Sequence, residues 1–161
     1  MKGRRIVPPP ILLHIYDNGR AEETSLLIQY GTIAWREEKE AGLRILLITS
    51  RETRRWVVPR GTGITGLGPA GSAAQEAFEE AGIRGLVSKK PLGTYRYDKR
   101  RKNGSIVPAE VRLYSLRVLE ELTDWPERAE RERRWFAPHE AADAVDEPDL
   151  QGLLRGFSAS R

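Results

Sequence analysis

The passage "GTGITGLGPAGSAAQEAFEEAGI", residues 61 to 83, restricts the fold of this chain more than any other. A glycine-rich lead with Gly61, Gly63, Gly66, Gly68 and Gly71 gives way to residues of high helix propensity, and then to Gly82. Gly68 followed by Pro69 fits an N-cap and first-turn proline, and Ser72 to Gln75 offers a capping box one turn later. Gly82 is placed to stop the helix. Within it, Ala73, Ala77 and Ala81 make a narrow stripe for close packing. Glu76, Glu79, Glu80 and Ile83 fall at i, i+3, i+4 and i+7, so the three carboxylates share one face.

That face is electrostatically awkward. The glutamates occupy the last two turns, where the helix dipole opposes negative charge by about 0.3–1 kcal/mol each at exposed sites. Like charges four residues apart repel by about 0.2–0.5 kcal/mol more. The nearest cation in sequence is Arg84, beyond the stop. A solvated acidic surface is the plain reading. The sharper one is that a group outside the helix neutralises the cluster, and a hard divalent cation such as Mg²⁺ or Mn²⁺ suits carboxylate oxygen.

A chain of 161 residues, 39% of them apolar, supports one compact domain, expected over residues 10–161. Residues 1–9 are expected to form an extended arm, because Pro8, Pro9 and Pro10 remove donors and fix φ. No apolar run approaches the roughly 20 residues needed to cross a bilayer. The basic residues Lys2, Arg4 and Arg5 meet those prolines instead of the unbroken apolar stretch of a leader. There is no cysteine, which excludes disulfides and thiolate metal sites, and His14 and His139 are too far apart in sequence to suggest a zinc site. A cytoplasmic protein with no membrane partner is the expectation.

Net charge is +4, from 27 basic and 23 acidic residues, and the distribution says more than the total. Basic residues gather at Arg51, Arg54, Arg55 and Arg60; at Arg96, Lys99, Arg100, Arg101 and Lys102; and at Arg131, Arg133 and Arg134. Such patches attract phosphate-rich partners, whether nucleotide, inositol phosphate or nucleic acid. Nucleic acid is the less favoured partner, since aromatic and basic residues interleave only in "TYRYDKRRK".

Strand-like runs are expected at residues 11–16, 25–35, 44–49, 56–58, 92–97, 111–119 and 133–136, with "WREEKEAG" a loop or hairpin tip and "DKRRKNGSIVPAE" a basic loop. Two further helices are expected, one from near Pro138 and one over "PDLQGLLRGF". Strands on both sides of a helix, with more helices at the end, predict an α/β fold with a mixed sheet sandwiched between helices.

Taken together, Gly61, Glu76, Ala77, Glu79, Glu80, Gly82 and Ile83 resemble the Nudix box, G-x5-E-x7-R-E-U-x-E-E-x-G-U with U apolar. "WVVPRG" just upstream is similar to sequence that precedes the box in that family. The pattern is broken where Leu67 replaces its first glutamate and Gln75 its arginine, a pair understood in the family to brace loop against helix. Loss of one partner would strand a charge, whereas loss of both can be nearly neutral. The resemblance implies the Nudix fold and Mg²⁺ (or Mn²⁺) at Glu76, Glu79 and Glu80, with the Gly61 carbonyl and Glu110 or Asp98 as further candidates. It implies hydrolysis of a phosphate anhydride in a phosphorylated small molecule.

The late segment, with Asp124, Trp125, Arg131, Arg133, Trp135 and Phe136, resembles diphosphoinositol polyphosphate phosphohydrolases, which also act on diadenosine polyphosphates. For such a substrate the expected contacts are Arg55, Arg60, Lys99, Arg100, Arg101, Lys102, Arg131 and Arg133. Where that branch has glycines after the proline, this chain has Pro59 and then Arg60. Two alternatives stand beside this reading. One is a pyrophosphohydrolase of nucleoside triphosphate, nucleotide sugar, ADP-ribose or RNA 5′ ends. The other is a non-catalytic module that binds a phosphorylated ligand or nucleic acid.

Overall fold

A computed structural model describes residues 11–15 and 21–159 of the chain, with side chains from Ser25 onward. The expected N-terminal arm at 1–9 lies outside the described residues. Strands β1 (Ile11–Ile15) and β2 (Ala21–Ser25) pair antiparallel as a separate two-stranded sheet. Eight more strands form one mixed sheet: β3 (Leu27–Glu38), β4 (Gly42–Thr49), β5 (Trp56–Val57), β6 (Arg60–Thr62), β7 (Ile83–Val87), β8 (Gly93–Arg100), β9 (Ile106–Glu121) and β10 (Arg133–Phe136). Three helices accompany it, α1 (Gly68–Ala81), α2 (Pro138–Ala144) and α3 (Pro148–Arg155).

The spine of the sheet runs β10-β4-β3-β9-β7. Strands β3 and β9 are parallel, from Leu27 opposite Ala109 to Trp35 opposite Arg117. Both are long enough to serve two neighbours each. The start of β3 pairs with β6 and its end with β4, while the start of β9 pairs with β8 and its end with β7. This sharing is what brings the glycine-rich segment into the sheet, next to the start of α1.

Both faces of the central strands are apolar and must be covered. Ile33, Ile45, Leu47, Tyr95 and Leu113 pack with Ala141, Ala142, Leu150 and Leu154 of α2 and α3. On the opposite face, Ala34, Leu46, Ile48 and Leu116 pack with Ala77 and Ala81 of α1. The alanine stripe thus does what its spacing implies, and the helix–sheet–helix layering matches the expected α/β class.

Several elements differ from expectation for identifiable reasons. "WREEKEAG" is a hairpin tip, one of the two readings expected of it, but strand runs further into it than expected, with the turn confined to residues 39–41 and Gly42 at φ 77°. Its charges are satisfied laterally: Arg36 bonds Glu38 and Glu121 and lies 4.0 Å over the Trp135 ring. The basic loop is instead two strands closed by a tight turn, in which the Arg101 N–H donates to the Ser105 carbonyl at 2.8 Å. One side of that hairpin faces solvent, so alternate charged residues cost nothing there. The short strands β2, β6 and β7 were not expected. In β7 the glycine is obligatory, because the Arg117 carbonyl passes where a Gly85 Cβ would stand.

Candidate active site

α1 starts differently from either expected cap. Leu67 is the N-cap and supplies no side-chain bond, while the Ser72 hydroxyl accepts from the Ile64 N–H at 2.9 Å and so ties the glycine-rich loop to the helix. Leu67, 46% exposed, and Gln75 line an open groove of about 380 Å³ between α1 and the strands β7 and β9, with Phe78, Ile83 and Leu116. The end of the helix is as expected, with Gly82 at φ 66° and its N–H on the Phe78 carbonyl.

The acidic face is not a solvated surface. Glu76 is 2% exposed and Glu80 8%, while Glu79 is half-buried. The Glu76 carboxylate lies against Gly61 of β6, so closely that a Cβ at Gly61 would stand 2.5 Å from each carboxylate oxygen. Glu80 is held on both oxygens: the Arg60 N–H donates to Oε1 at 2.9 Å and Arg131 Nη2 donates to Oε2 at 3.0 Å. Burial pushes its carboxyl up to about 7, against the opposing pull of Arg131 and of the Arg60 N–H.

Arg60 also reaches the other face of the sheet. Its Nη1 donates to the Tyr95 hydroxyl at 2.8 Å, and its guanidinium lies 4.1 Å over the Tyr97 ring, whose hydroxyl donates to Gln29 Oε1 at 2.6 Å. Burial pulls the Arg60 guanidinium down, but the phenols of Tyr95 and Tyr97 and the Glu147 carboxylate more than offset this and raise it. Lys99, two residues along β8 from Tyr97, is held below the ordinary lysine range by burial, then by Arg60 and Arg101, with Glu80 opposing and Arg51 adding to the repulsion. Cations and carboxylates therefore meet around β6.

Of the other expected contacts, Arg100 points to the exposed side of β8, and Arg101 and Lys102 sit in the exposed turn. Arg55 bonds Glu147 at 2.6 Å and lies 3.5 Å from Asp146, at the corner between α2 and α3. Glu110 sits on β9 between Arg96, at 3.6 Å, and Arg112, at 3.4 Å; Asp98 is exposed on the same strand face as Arg96. Arg131 and Arg133 are engaged internally. Arg131 bonds Glu80, Glu127 and the Thr49 carbonyl, and Arg133 bonds the carbonyls of Ala81, Gly82 and Leu122 with its guanidinium 4.0 Å over the Trp125 ring. Tyr95, Tyr97, Gln29 and Glu147 were not foreseen. The period-two alternation Tyr95, Tyr97, Lys99 was the available signal, since it puts all three on one face of a strand.

Among the described residues no group of three or more Asp, Glu or His side chains stands ready to hold a metal. The residues nevertheless fit a hard cation. Two buried carboxylates one turn apart border β6 at a residue where any Cβ would collide with one of them, and Glu80 uses only two of its roughly four acceptor positions. Mg²⁺ commonly takes one or two carboxylates and completes its shell with water and phosphate oxygens.

An Arabidopsis thaliana protein named Nudix hydrolase 12, mitochondrial, is 34% identical over 121 residues, covering 71% of this chain and 58% of its own length. The Bos taurus diphosphoinositol polyphosphate phosphohydrolase 3-beta is 34% identical over 111 residues, covering 68% of this chain and 63% of its own. The chain thus spans about three fifths of the length of these relatives. The crystal structure of a C. elegans Ap4A hydrolase superposes with a TM-score of 0.58 at 20% identity, covering 84% of this chain and 98% of that one. The family model described as NUDIX domain matches residues 28–157, and the chain belongs to that family.

Proposed function

We propose that this chain is a Nudix-type pyrophosphohydrolase that uses Mg²⁺ or Mn²⁺ to hydrolyse a phosphate anhydride in a highly phosphorylated or nucleoside-diphosphate-linked substrate. Diphosphoinositol polyphosphate and diadenosine polyphosphate are the favoured substrate classes. The observation that carries this reading is the pair of buried carboxylates, Glu76 and Glu80, beside β6, where the Arg60 N–H and Arg131 hold Glu80 and where Lys99 feels the like charges of Arg60, Arg101 and Arg51. An ammonium held below its ordinary range by burial and like charges gains from a polyanion, and a buried carboxylate held above its range gains from a cation. A polyphosphate carrying a divalent ion supplies both.

In this account Glu76, Glu79 and Glu80 hold the cation, with the Gly61 carbonyl beside them. The bound cation neutralises phosphate oxygens and lowers the pKa of a water. Arg60 and Lys99 orient the phosphate chain, and the exposed Arg101 and Lys102 attract it to the mouth of the site. The names of the bovine relative and the C. elegans structure support the substrate classes, since both groups carry several phosphates close together. The cytoplasmic location remains part of the proposal, beside the word mitochondrial in the plant relative's name. No helix among the described residues is long and apolar enough to cross a membrane.

The test is a metal-dependent assay across diphosphoinositol, dinucleoside polyphosphate, ADP-ribose, nucleoside triphosphate and capped RNA substrates, with Glu79→Gln as control. The reading expects turnover on one of the first two, abolished by EDTA and lowered at least ~100-fold in Glu79→Gln. Absence of turnover on every substrate, with retained binding of one, would favour the non-catalytic module instead.

A further inference from the structure

A helix leaves its last four carbonyls without intrahelical partners. At the end of α1 the Phe78 carbonyl takes the Gly82 N–H, and the next four carbonyls, those of Glu79, Glu80, Ala81 and the stop Gly82, are taken by one segment, residues 122–133. The Glu79 carbonyl accepts from the Glu127 N–H at 3.0 Å, Glu80 from Trp125 Nε1 at 3.1 Å, Ala81 from Arg133 Nη1 at 2.9 Å and Gly82 from the Leu122 N–H at 2.8 Å. The same segment sends Arg131 Nη2 to the Glu80 carboxylate at 3.0 Å. Arg131 is itself immobilised, with Nε on Glu127 at 2.8 Å, Nη1 on the Thr49 carbonyl at 3.1 Å and a side chain only 9% exposed. At the opposite end of α1 the tie is the Ile64 N–H on the Ser72 hydroxyl; Leu67 supplies no cap, and neither Leu67 nor Gln75 carries a charge.

We propose that the 122–133 segment positions the metal-binding carboxylates from the C-terminal end of α1, with Arg131 as its positioning residue. This rests on the metal site proposed above. A carboxylate that must meet an ion within about 0.5 Å needs its own rotamer fixed by partners that do not move. Arg131, anchored on the Glu127 carboxylate and the Thr49 carbonyl, fixes Glu80 Oε2, while the carbonyl clasp fixes the turn that carries both Glu79 and Glu80. The segment also supplies the cations that the acidic turn lacks within its own sequence.

The experiment titrates Mn²⁺ alone, read by the paramagnetic signal of the free ion, against the parent chain, Arg131→Lys, Arg131→Gln and Trp125→Phe. Amide hydrogen exchange over the last turn of α1 is followed in parallel. Partners that orient ligands are typically worth 10- to 100-fold in metal affinity. Arg131→Gln is therefore expected to weaken Mn²⁺ by about that factor, with Arg131→Lys in between and faster exchange of the last-turn amides in both. Trp125→Phe keeps an aromatic ring beneath Arg133 but deletes the bond to the Glu80 carbonyl. It is the milder variant should Arg131→Gln not fold, and a loss of about threefold is expected from removal of one neutral hydrogen bond. Unchanged affinity in a folded variant would overturn the proposal, and so would a gain, which would make Arg131 a competing counter-ion. A parent that binds no Mn²⁺ would overturn the metal reading itself and the positioning role with it.

Discussion

The backbone N–H of Arg60 donates to Glu80 Oε1 at 2.9 Å, while the guanidinium of the same residue bonds Tyr95 on the other face of the sheet. One residue thus belongs to the carboxylate site through its main chain and to the aromatic, basic wall through its side chain. The two roles separate by mutation. Arg60→Ala keeps the N–H and should leave Mn²⁺ affinity within about twofold, yet raise KM for a polyphosphate by ~10-fold or more, the scale of one lost charge-assisted hydrogen bond. Steady-state kinetics beside a Mn²⁺ titration reads both. A parallel loss in both quantities would mean that the side chain also shapes the carboxylate site.

Gly61→Ala tests the close approach of β6 to α1. The added methyl would stand 2.5 Å from both oxygens of Glu76, too close to coexist with the present rotamer. Overpacking of this kind costs about 1–3 kcal/mol, and the displaced carboxylate should cost metal affinity as well. Gly42, whose surroundings are open, is a poor site for alanine only because of its φ of 77°. Thermal melts of Gly42→Asn and Gly61→Ala, with and without Mg²⁺, should show metal-dependent stabilisation retained in the first and reduced in the second.

Lys99 and Arg100 are adjacent on β8 but face opposite ways, Lys99 half-buried toward Arg60 and Arg100 exposed. Lys99→Gln should therefore raise KM for a diphosphoinositol or dinucleoside polyphosphate by ~10-fold or more and for ADP-ribose by less, whereas Arg100→Gln changes either by about twofold or less, as exposed charges usually do. Equal effects of the two substitutions, or equal effects on both substrates, would count against the proposed substrate classes.

The Glu80 carboxyl gives the metal-free protein a pH dependence with a definite sign. Its folded-state value of about 7 lies above the ordinary glutamate value of 4.5. Between these the folded chain binds more protons than the unfolded one, so this group's contribution to stability falls as pH rises from about 4.5 to 7 and is constant outside that window. In EDTA, Glu80→Gln should therefore flatten the decline in melting temperature over that range. A parent and variant with parallel profiles would show that Arg131 and the Arg60 N–H outweigh burial at this site.

Much of this was legible in the sequence because α1 carries its own punctuation. The left-handed stop at Gly82, the alanine stripe and the shared face of Glu76, Glu79 and Glu80 all follow from spacing, and the unfavourable charge of the last turn pointed to a neutralising group elsewhere. Spacing suggested a divalent cation for that group; what it could not give was the chain's own share, Arg131 on the Glu80 carboxylate and Arg133 on the carbonyls of Ala81 and Gly82. Arg131 and Arg133 lie about fifty residues downstream, and only the antiparallel pairing of β10 with β4 swings them beneath the end of α1. A basic run in sequence looks the same whether it faces ligand or helix carbonyls. For the same reason β6 was not among the expected strands: a three-residue strand centred on a glycine has little propensity of its own and exists because the start of β3 offers it an edge. In the "DKRRK" stretch, the alternation that separates Lys99 from Arg100 was present, but a dense run of charges hid it.

The most direct test of the account is the stoichiometry and affinity of Mn²⁺ on the parent chain and on Glu76→Gln, measured at pH 8 without substrate. Glu76 is buried against Gly61, while the bonds from the Arg60 N–H and from Arg131 Nη2 go to Glu80, so the substitution alters a proposed ligand and keeps those two bonds. The account expects saturable Mn²⁺ binding to the parent, displaced by Mg²⁺ and weakened at least ~10-fold in Glu76→Gln. Identical Mn²⁺ binding by the two proteins would contradict it, because the buried carboxylates beside β6 would then not be the metal site.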